Sequence, residues 1–466
     1  MRTNTAKAWA ILLSLLLLLA AGFSMNAVSS GLKAFAVTPV VKKFHLYATD
    51  GYMTLADGKK AYIWGYSLSN VKGTAAYPAP TLTVNEGDLV EVTLTNLGPG
   101  KEGIQPLAHT IHFHGLDTDQ QNDGVPDTHP PVQPGSSFTY KFTAKHAGTY
   151  FYHCHVDTVE HLQMGMHGAF IVKAKNGIKQ AWTGGPVYDK EYVMLLNEFD
   201  PVWHAAVEEG KTYDRTDFHP RYWTINGKSF PDTLNDPTTM VHATVGQRVL
   251  IRLINSGYEE HSIHLHGVHF QIIASDGRPL PAPIEKDTVS LGPAERYDIL
   301  VVFDQSGEFP LHSHNIVDNT NDGVYPGGLH TMMCVDPKSG TSSGGHAEHM
   351  TGAAAAESHC GNESIEPGGT TSNSAANTAN NTNAASVSVN IGALSVSVKE
   401  LHVKVGDTVT WTNADRQVHT ITSDDGLFNS GNIFPKGAWS YTFTKEGTYS
   451  YACTIHATIK GTVVVE

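Results

Sequence analysis

Two stretches of the chain spell nearly the same thing, "HTIHFHG" at residues 109 to 115 and "HSIHLHG" at 261 to 267. Each is followed some forty to fifty residues later by another pair, "HCH" at 153 to 155 and "HSH" at 312 to 314. Alternate side chains of a β-strand share a face, so an HxH triplet projects two imidazoles one way and its middle residue the other. The repeat therefore asks for two copies of one strand-rich architecture, near residues 40 to 178 and 187 to 337.

Composition agrees with strands. Val-, Thr-, Tyr- and Phe-rich runs such as "TLTVNEGDLVEVTLTN", "QRVLIRLIN" and "DTVTWTN" alternate with turn residues, the pattern of sandwich strands. At 466 residues the chain is too long for one small core and divides into roughly three domains. From Lys338 to about Ala385 it turns to Ser, Gly, Ala, Asn and Thr, which cannot bury enough apolar surface to fold. This stretch reads as a tether, although its His346, His349, Met350, His359 and Cys360 could capture a soft metal. Beyond it, residues 386 to 466 form a small sandwich-sized unit with its own His and Cys near the end. The expected division is 1–36, 37–180, 181–337, 338–385 and 386–466, with an all-β fold.

A formal charge of −14 arises from 31 basic and 45 acidic residues, and no basic run beyond the N-terminus offers a phosphate-reading surface. No nucleic-acid partner is expected. Arg2 and Lys7 precede an apolar run from about Ala8 to Phe23, the layout of an export signal, so the working location is extracytoplasmic. The small-x-small triplet "AFA" at 34 to 36 lies well beyond that run, which leaves cleavage and retention as a membrane anchor as alternatives. Four cysteines are too few for a disulfide-built scaffold. Cys154 and Cys453 sit among histidines, and Cys334 and Cys360 remain to pair with each other.

In "HCH", His153 and His155 face one centre while Cys154 points back into its own domain. A blue-copper site needs a thiolate, two imidazoles and usually a long axial Met. His109, Cys154, His161 and Met166 supply all four. The pairs His112/His114, His153/His155, His264/His266 and His312/His314 provide enough imidazoles for a cluster of three coppers.

These four motifs resemble those of multicopper oxidases, and residues 40 to 337 resemble the two-domain laccase type, related to copper nitrite reductases. The resemblance implies cupredoxin-like Greek-key β-sandwich domains. It places type 2 copper on His112 and His264, and the type 3 pair on His114, His153, His155, His266, His312 and His314. Asp123 in "NDGVP" matches an acid that assists proton delivery to the cluster. The implied activity is one-electron oxidation of a phenolic, metal-ion or protein donor coupled to reduction of dioxygen to water, in a homotrimer whose clusters lie at subunit interfaces. No long Met-rich insert of the cuprous oxidases is present. Residues 386 to 466 resemble amicyanin- and plastocyanin-like cupredoxins, which implies an additional type 1 copper on His419, Cys453 and His456. Ile459 stands where that family has its axial Met, a loss that should raise the copper potential.

The second repeat loses the blue site. Ser313 replaces the cysteine, Val324 falls where His161 falls, and Leu329 matches Met166. His261, aligned with His109, is left a structural role, as are His167, His330, His146 and His269. Two other functions compete. Copper nitrite reductases share the layout, but they carry an Asp where His112 stands and lack a histidine where His155 stands. A copper-binding or storage protein needs neither a blue thiolate centre nor four strand-borne pairs.

Overall fold

The structure is a computed structural model that describes residues 40–338 except 176, and 386–466 except 393, 394, 416, 418, 431, 432, 434–436, 455 and 457. The export segment, the tether and its His346, His349, Met350, His359 and Cys360 lie outside the described residues. Among the described residues, no helix is long and apolar enough to cross a membrane.

The first sandwich comprises β1 (Val41–Thr54), β2 (Lys60–Ser67), β3 (Ala79–Asn85), β4 (Leu89–Asn96), β5 (His112–His114), β6 (Ser137–Thr143), β7 (Gly148–His153) and β8 (His167–Lys173), with helix α1 (Thr158–Gln163) between the last two. Its sheets run β2-β1-β4-β6 and β3-β8-β7-β5. The second comprises β9 (Lys190–Phe199), α2 (Pro201–Glu208), β10 (Tyr222–Ile225), β11 (Val241–Thr244), β12 (Arg248–Asn255), β13 (His261–Leu265), β14 (Phe270–Ser275), β15 (Arg278–Lys286), β16 (Thr288–Leu291), β17 (Arg296–Val302), β18 (Gly307–Ser313) and β19 (His330–Asp336). Its sheets run β10-β9-β12-β17-β14-β15 and β11-β19-β18-β13-β16. The third comprises β20 (Ser386–Ile391), β21 (Glu400–Val403), β22 (Thr408–Asn413), β23 (Thr422–Ser423), β24 (Ala438–Thr442), β25 (Gly447–Ala452) and β26 (Lys460–Val465), in sheets β20-β22-β24 and β21-β26-β25-β23.

Each sandwich has the same two parallel pairings: β1 with β4 and β3 with β8, β9 with β12 and β11 with β19, β20 with β22 and β21 with β26. A parallel pair cannot be closed by a hairpin, so the chain crosses between sheets in Greek-key fashion, as expected. Three apolar cores fill the sandwiches.

Alternating strands such as β4 and β22 bury every second residue. Strand β7 does not: all six of its residues are buried. One face, Tyr150 and Tyr152, enters the core of its own sandwich. The other presents Phe151 to Ala169, Ile171, Leu195 and Ile254, half of them from the second sandwich. Burying each such side chain contributes about 1.5–3 kcal/mol. Alongside, the fully buried Arg252 of β12 donates to Thr149 of β7 at 3.0 Å, to Asp298 at 2.9 Å and to Glu191 at 2.7 Å. Loss of one partner would strand a buried charge. A one-residue slip of β7 would exchange the faces of Cys154 and its flanking histidines. Packing on both sides forbids it, so the register of "HCH" is fixed.

Helix α2 starts at Pro201 behind Asp200, whose carboxylate accepts from the backbone N–H of Val202 at 2.9 Å and Trp203 at 3.1 Å. Such a cap contributes roughly 1 kcal/mol. Trp203 and Val207 of this helix complete the core of the first sandwich. Cys154 and Cys453 are free. Cys334 is disulfide-bonded, and Cys360, the partner the sequence suggested, lies outside the described residues.

Candidate metal centres

The loop after β7, helix α1 and the segment before β5 bring His109, Cys154 and His161 together, with one ligand atom from each within 4.8 Å of the others. The sulfur lies 3.2 Å from His161 Nδ1 and 3.8 Å from His109 Nδ1, and the two Nδ1 atoms are 3.3 Å apart. Met166 is fully buried. Its position is fixed by the backbone, because Cys154 N–H donates to Met166 O and Met166 N–H donates to His161 O, each at 3.0 Å. Thr110 N–H points at the sulfur from 3.4 Å, a donor that favours thiolate. Burial pushes the Cys154 thiol up to about 11 and His161 down to about 4, and holds His109 well below its ordinary value. The imidazoles are thus neutral and able to ligate, while the thiol ionises only beside a cation.

On the opposite face, β5 and β7 pair with His112 across from His153. Ligand atoms of His112, His114 and His153 come within 4.8 Å of one another. The ring of His155 lies 5.4 Å from that of His112 and 5.8 Å from that of His153. Orientation is set from behind: His112 Nδ1–H donates to Asp123 O at 2.7 Å and His153 Nδ1–H to Cys154 O at 2.9 Å. Both Nε2 lone pairs are therefore left for a metal. Burial lowers His153 to about 3 and His114 to about 4, and lowers His112 as well. The Asp123 carboxylate sits 3.4 Å from His112 Nδ1, behind the ring, and accepts from Thr118 Oγ1 at 2.8 Å.

The second sandwich repeats the arrangement. Strands β13 and β18 place His264 opposite His312. His264 Nδ1 lies 2.9 Å from Asp287 O, and His312 Nδ1–H donates to Ser313 O at 2.8 Å. His266 Nε2 and His312 Nε2 are 2.9 Å apart, and the His314 ring is 5.6 Å from His264. His266 and His314 are exposed. Among the described residues, no ring of this quartet contacts a ring of the first, and no three-ligand grouping mixes the two.

Where the blue site would lie in the second sandwich, the alignment of Val324 with His161 is corrected. Ser313 N–H donates to Leu329 O at 2.9 Å and Leu329 N–H to Asp318 O at 2.8 Å, matching the Cys154, Met166 and His161 bonds one for one. Asp318 is the counterpart of His161. Its carboxylate accepts from Ser313 Oγ at 2.6 Å and lies 3.0 Å from His261 Nδ1. Met166 follows Cys154 by twelve positions but Leu329 follows Ser313 by sixteen. The extra residues fall after Asp318, in the turn that carries Val324. His261 otherwise takes the structural role expected of it.

In the third sandwich His419, Cys453 and His456 again offer ligand atoms within 4.8 Å. The sulfur is 3.7 Å from His419 Nδ1 and 3.8 Å from His456 Nδ1, with the nitrogens 3.1 Å apart. Thr420 N–H approaches the sulfur at 3.3 Å, as Thr110 does in the first sandwich. Sequence reasoning missed Asp318, Asp415 beside His419, and both threonines. The aligned "HT" pairs at 109 and 419 were the available signal for the threonines.

Multicopper oxidase family models match residues 51–177 and 205–322, and a cupredoxin-like domain model matches residues 369–465. Among solved structures, a blue copper oxidase from Nitrosomonas europaea is 34% identical, covering 64% of this chain and 86% of its own, with a TM-score of 0.54. The multicopper oxidase mgLAC is 30% identical, with 64% and 87% covered and a TM-score of 0.54. Laccase-15 from Oryza sativa subsp. japonica is 32% identical over 49% of this chain and 37% of its own length. The chain thus spans less than half the length of the curated laccases it matches. A copper nitrite reductase from Nitrosomonas europaea, 22% identical with a TM-score of 0.50, shares the fold. The chain belongs to the multicopper oxidases, and its cofactor is copper. The donor sets fit that metal: thiolate with imidazoles in largely buried pockets, and imidazole quartets in each of which two rings are oriented from behind.

Proposed function

We propose that the chain is a laccase-like oxidase coupling one-electron oxidation of a reducing substrate to four-electron reduction of dioxygen to water. The observation that carries this reading is the join between two donor sets: His153 of the imidazole quartet donates to the carbonyl of Cys154, the residue bearing the sulfur. With copper bound at both, Cys154 and its neighbour His153 would provide a route between the two sites. Bound copper supplies the one-electron steps and the dioxygen chemistry.

His109, Cys154, His161 and Met166 hold the type 1 copper, and His419, Cys453 and His456 an additional one. His112 and His264 hold type 2 copper, and His114, His153, His155, His266, His312 and His314 hold the type 3 pair. Asp123 steadies His112 and supplies protons on that side. Nitrite reduction is disfavoured, because His112 and His155 complete a quartet where those reductases do not. A storage role leaves the Cys154–His153 connection unused.

The same proposal includes a homotrimer. The two quartets do not meet among the described residues of one chain, and His266 and His314 face solvent. A neighbouring copy would supply the missing half, in a closed ring. It also includes the division at 37–180, 181–337, 338–385 and 386–466, supported by three separate cores, and an extracytoplasmic location for a chain exported through residues 1–36. The donor is a phenol, a metal ion or a protein.

Oxygen uptake with a panel of such donors tests the activity, with nitrite-dependent nitric oxide formation as the opposing outcome. Complementation tests the assembly. A chain with His112 and His114 replaced by Ala, coexpressed with one lacking His312 and His314, should regain oxygen uptake in mixed trimers. Mixed assemblies with blue copper but no oxygen reduction would overturn the shared cluster.

A further inference from the structure

The third sandwich holds its sulfur and imidazoles in the frame of the first, with one donor missing. Cys453 N–H donates to Ile459 O at 2.9 Å and Ile459 N–H to His456 O at 3.0 Å, the same two bonds that place Met166. Ile459 is fully buried at the position that Met166 takes in the first sandwich and has no lone pair. Losing the thioether destabilises oxidised copper and raises the potential.

The two sites differ on their other side as well. His419 is fully buried, and its Nε2 lies 2.8 Å from Asp415 Oδ2, whose side chain is only 13% exposed. Its Nδ1 faces Cys453 and His456 at 3.7 and 3.1 Å. A carboxylate can only accept here, so Nε2 carries the proton and Nδ1 the lone pair. In the first sandwich His161 Nε2 is buried with no hydrogen-bond partner. Among the described residues, neither His109 nor His161 is ion-paired with a carboxylate.

We propose that Asp415 is a positioning residue for the copper of the third sandwich, fixing the ring of His419 with Nδ1 toward the metal and lowering the copper's potential against the effect of Ile459. A carboxylate on the outer nitrogen makes an imidazole a stronger donor. Its negative charge, on the far side of one ring in a largely buried site, favours the more highly charged oxidised ion. The axial loss and the added charge act in opposite directions. The third site thereby stays within reach of exchanging electrons with an external carrier or another type 1 copper. This rests on the reading of His419, Cys453 and His456 as a blue-copper site.

The test uses the full chain carrying Cys154→Ser, in which any blue band belongs to the third sandwich. Redox titration of that band should give a higher midpoint potential in Asp415→Asn than in its parent, with Asp415→Glu returning toward the parent value. An unchanged or lower potential in Asp415→Asn overturns the assignment, because a purely structural contact would not move it. If Asp415→Asn loses its band, Asp415→Glu decides. A blue Glu variant at or near the parent potential upholds the role of the carboxylate; a clearly higher one, or no band in that variant either, overturns it. Absence of a blue band in the Cys154→Ser parent is a different failure. It removes the copper site itself, and this inference with it.

Discussion

Cys154 and Ser313 sit at the same corner of sandwiches wired the same way, and the backbone bonds around them coincide to within about 0.2 Å. The contents do not. The first frame gathers Cys154, His109 and His161 over Met166. The second gathers Ser313, His261 and Asp318 over Leu329. Burial would lower His261, but its hydrogen bond to Asp318 and the charge of Glu198 outweigh that and hold it above its ordinary value. A buried imidazole whose protonated form is favoured by the neighbouring carboxylates therefore occupies a corner that in the first sandwich is built for a copper ion. The Greek-key frame fixes where the side chains stand, while the three that differ, Ser313, Asp318 and Leu329, decide whether the corner suits a metal or a proton.

The most severe break is to make the first corner resemble the second. Cys154→Ser removes the thiolate while leaving the backbone carbonyl that accepts from His153 in place, so oxygen uptake should fall to background with every donor. The blue absorption of the third sandwich should survive. Loss of all blue colour in this variant would mean that Cys453 holds no such copper.

The converse change should create a site. Ser313→Cys combined with Asp318→His and Leu329→Met supplies thiolate, second imidazole and thioether around His261, and should add a blue band and about one further copper per chain. Ser313→Cys with Val324→His and Leu329→Met should add none, since Val324 lies in the turn beyond the frame. Equal bands from the two designs would refute the pairing of Asp318 with His161.

A smaller effect concerns stability. Asp318→Asn leaves His261 beside Glu198 alone, and breaking a buried pair of this kind costs roughly 3–5 kcal/mol, read from chemical unfolding. Because His261 is raised in the folded chain, its protonation stabilises the fold fully below about pH 6.5. That contribution is lost as pH rises through the raised value. The His261→Gln variant should be less stable and should lose this part of the pH dependence. A parent whose stability is flat from pH 6 upward would contradict a charged His261.

The sequence made the metal-bearing parts legible because HxH on a strand has one geometric meaning, and because a thiolate between histidines has few bland explanations. All-β sandwiches followed from the alternation in runs such as "EVTLTN". What stayed hidden was held by loops and by the outer nitrogens of rings. Asp318 was obscured because the count from Leu329 cannot tell which side of the aspartate carries the extra residues. Asp415 lies four residues before His419 in a turn, where an acidic side chain looks like any solvated one. The doubly buried β7 was invisible as such, since its Phe151 reaches a partner strand a hundred residues away.

The smallest expected change compares the first corner with the third. Met166→Ile deletes the thioether from a frame that is otherwise complete, and Ile459→Met adds one to a frame that lacks it. Both axial side chains are fully buried and held by matching backbone bonds, so neither exchange should reorganise the loop. The potential of the first copper should rise, and that of the third should fall, each by about 59 mV or more, which is tenfold in a one-electron equilibrium. Because the substitutions are mirror images in nearly the same geometry, the two shifts should be similar in size. Titrating each band in the background where the other thiolate is replaced by serine measures them separately. If Met166→Ile raises the first potential while Ile459→Met leaves the third unmoved, then the potential of the third site is governed from the His419 side and not from the axial position.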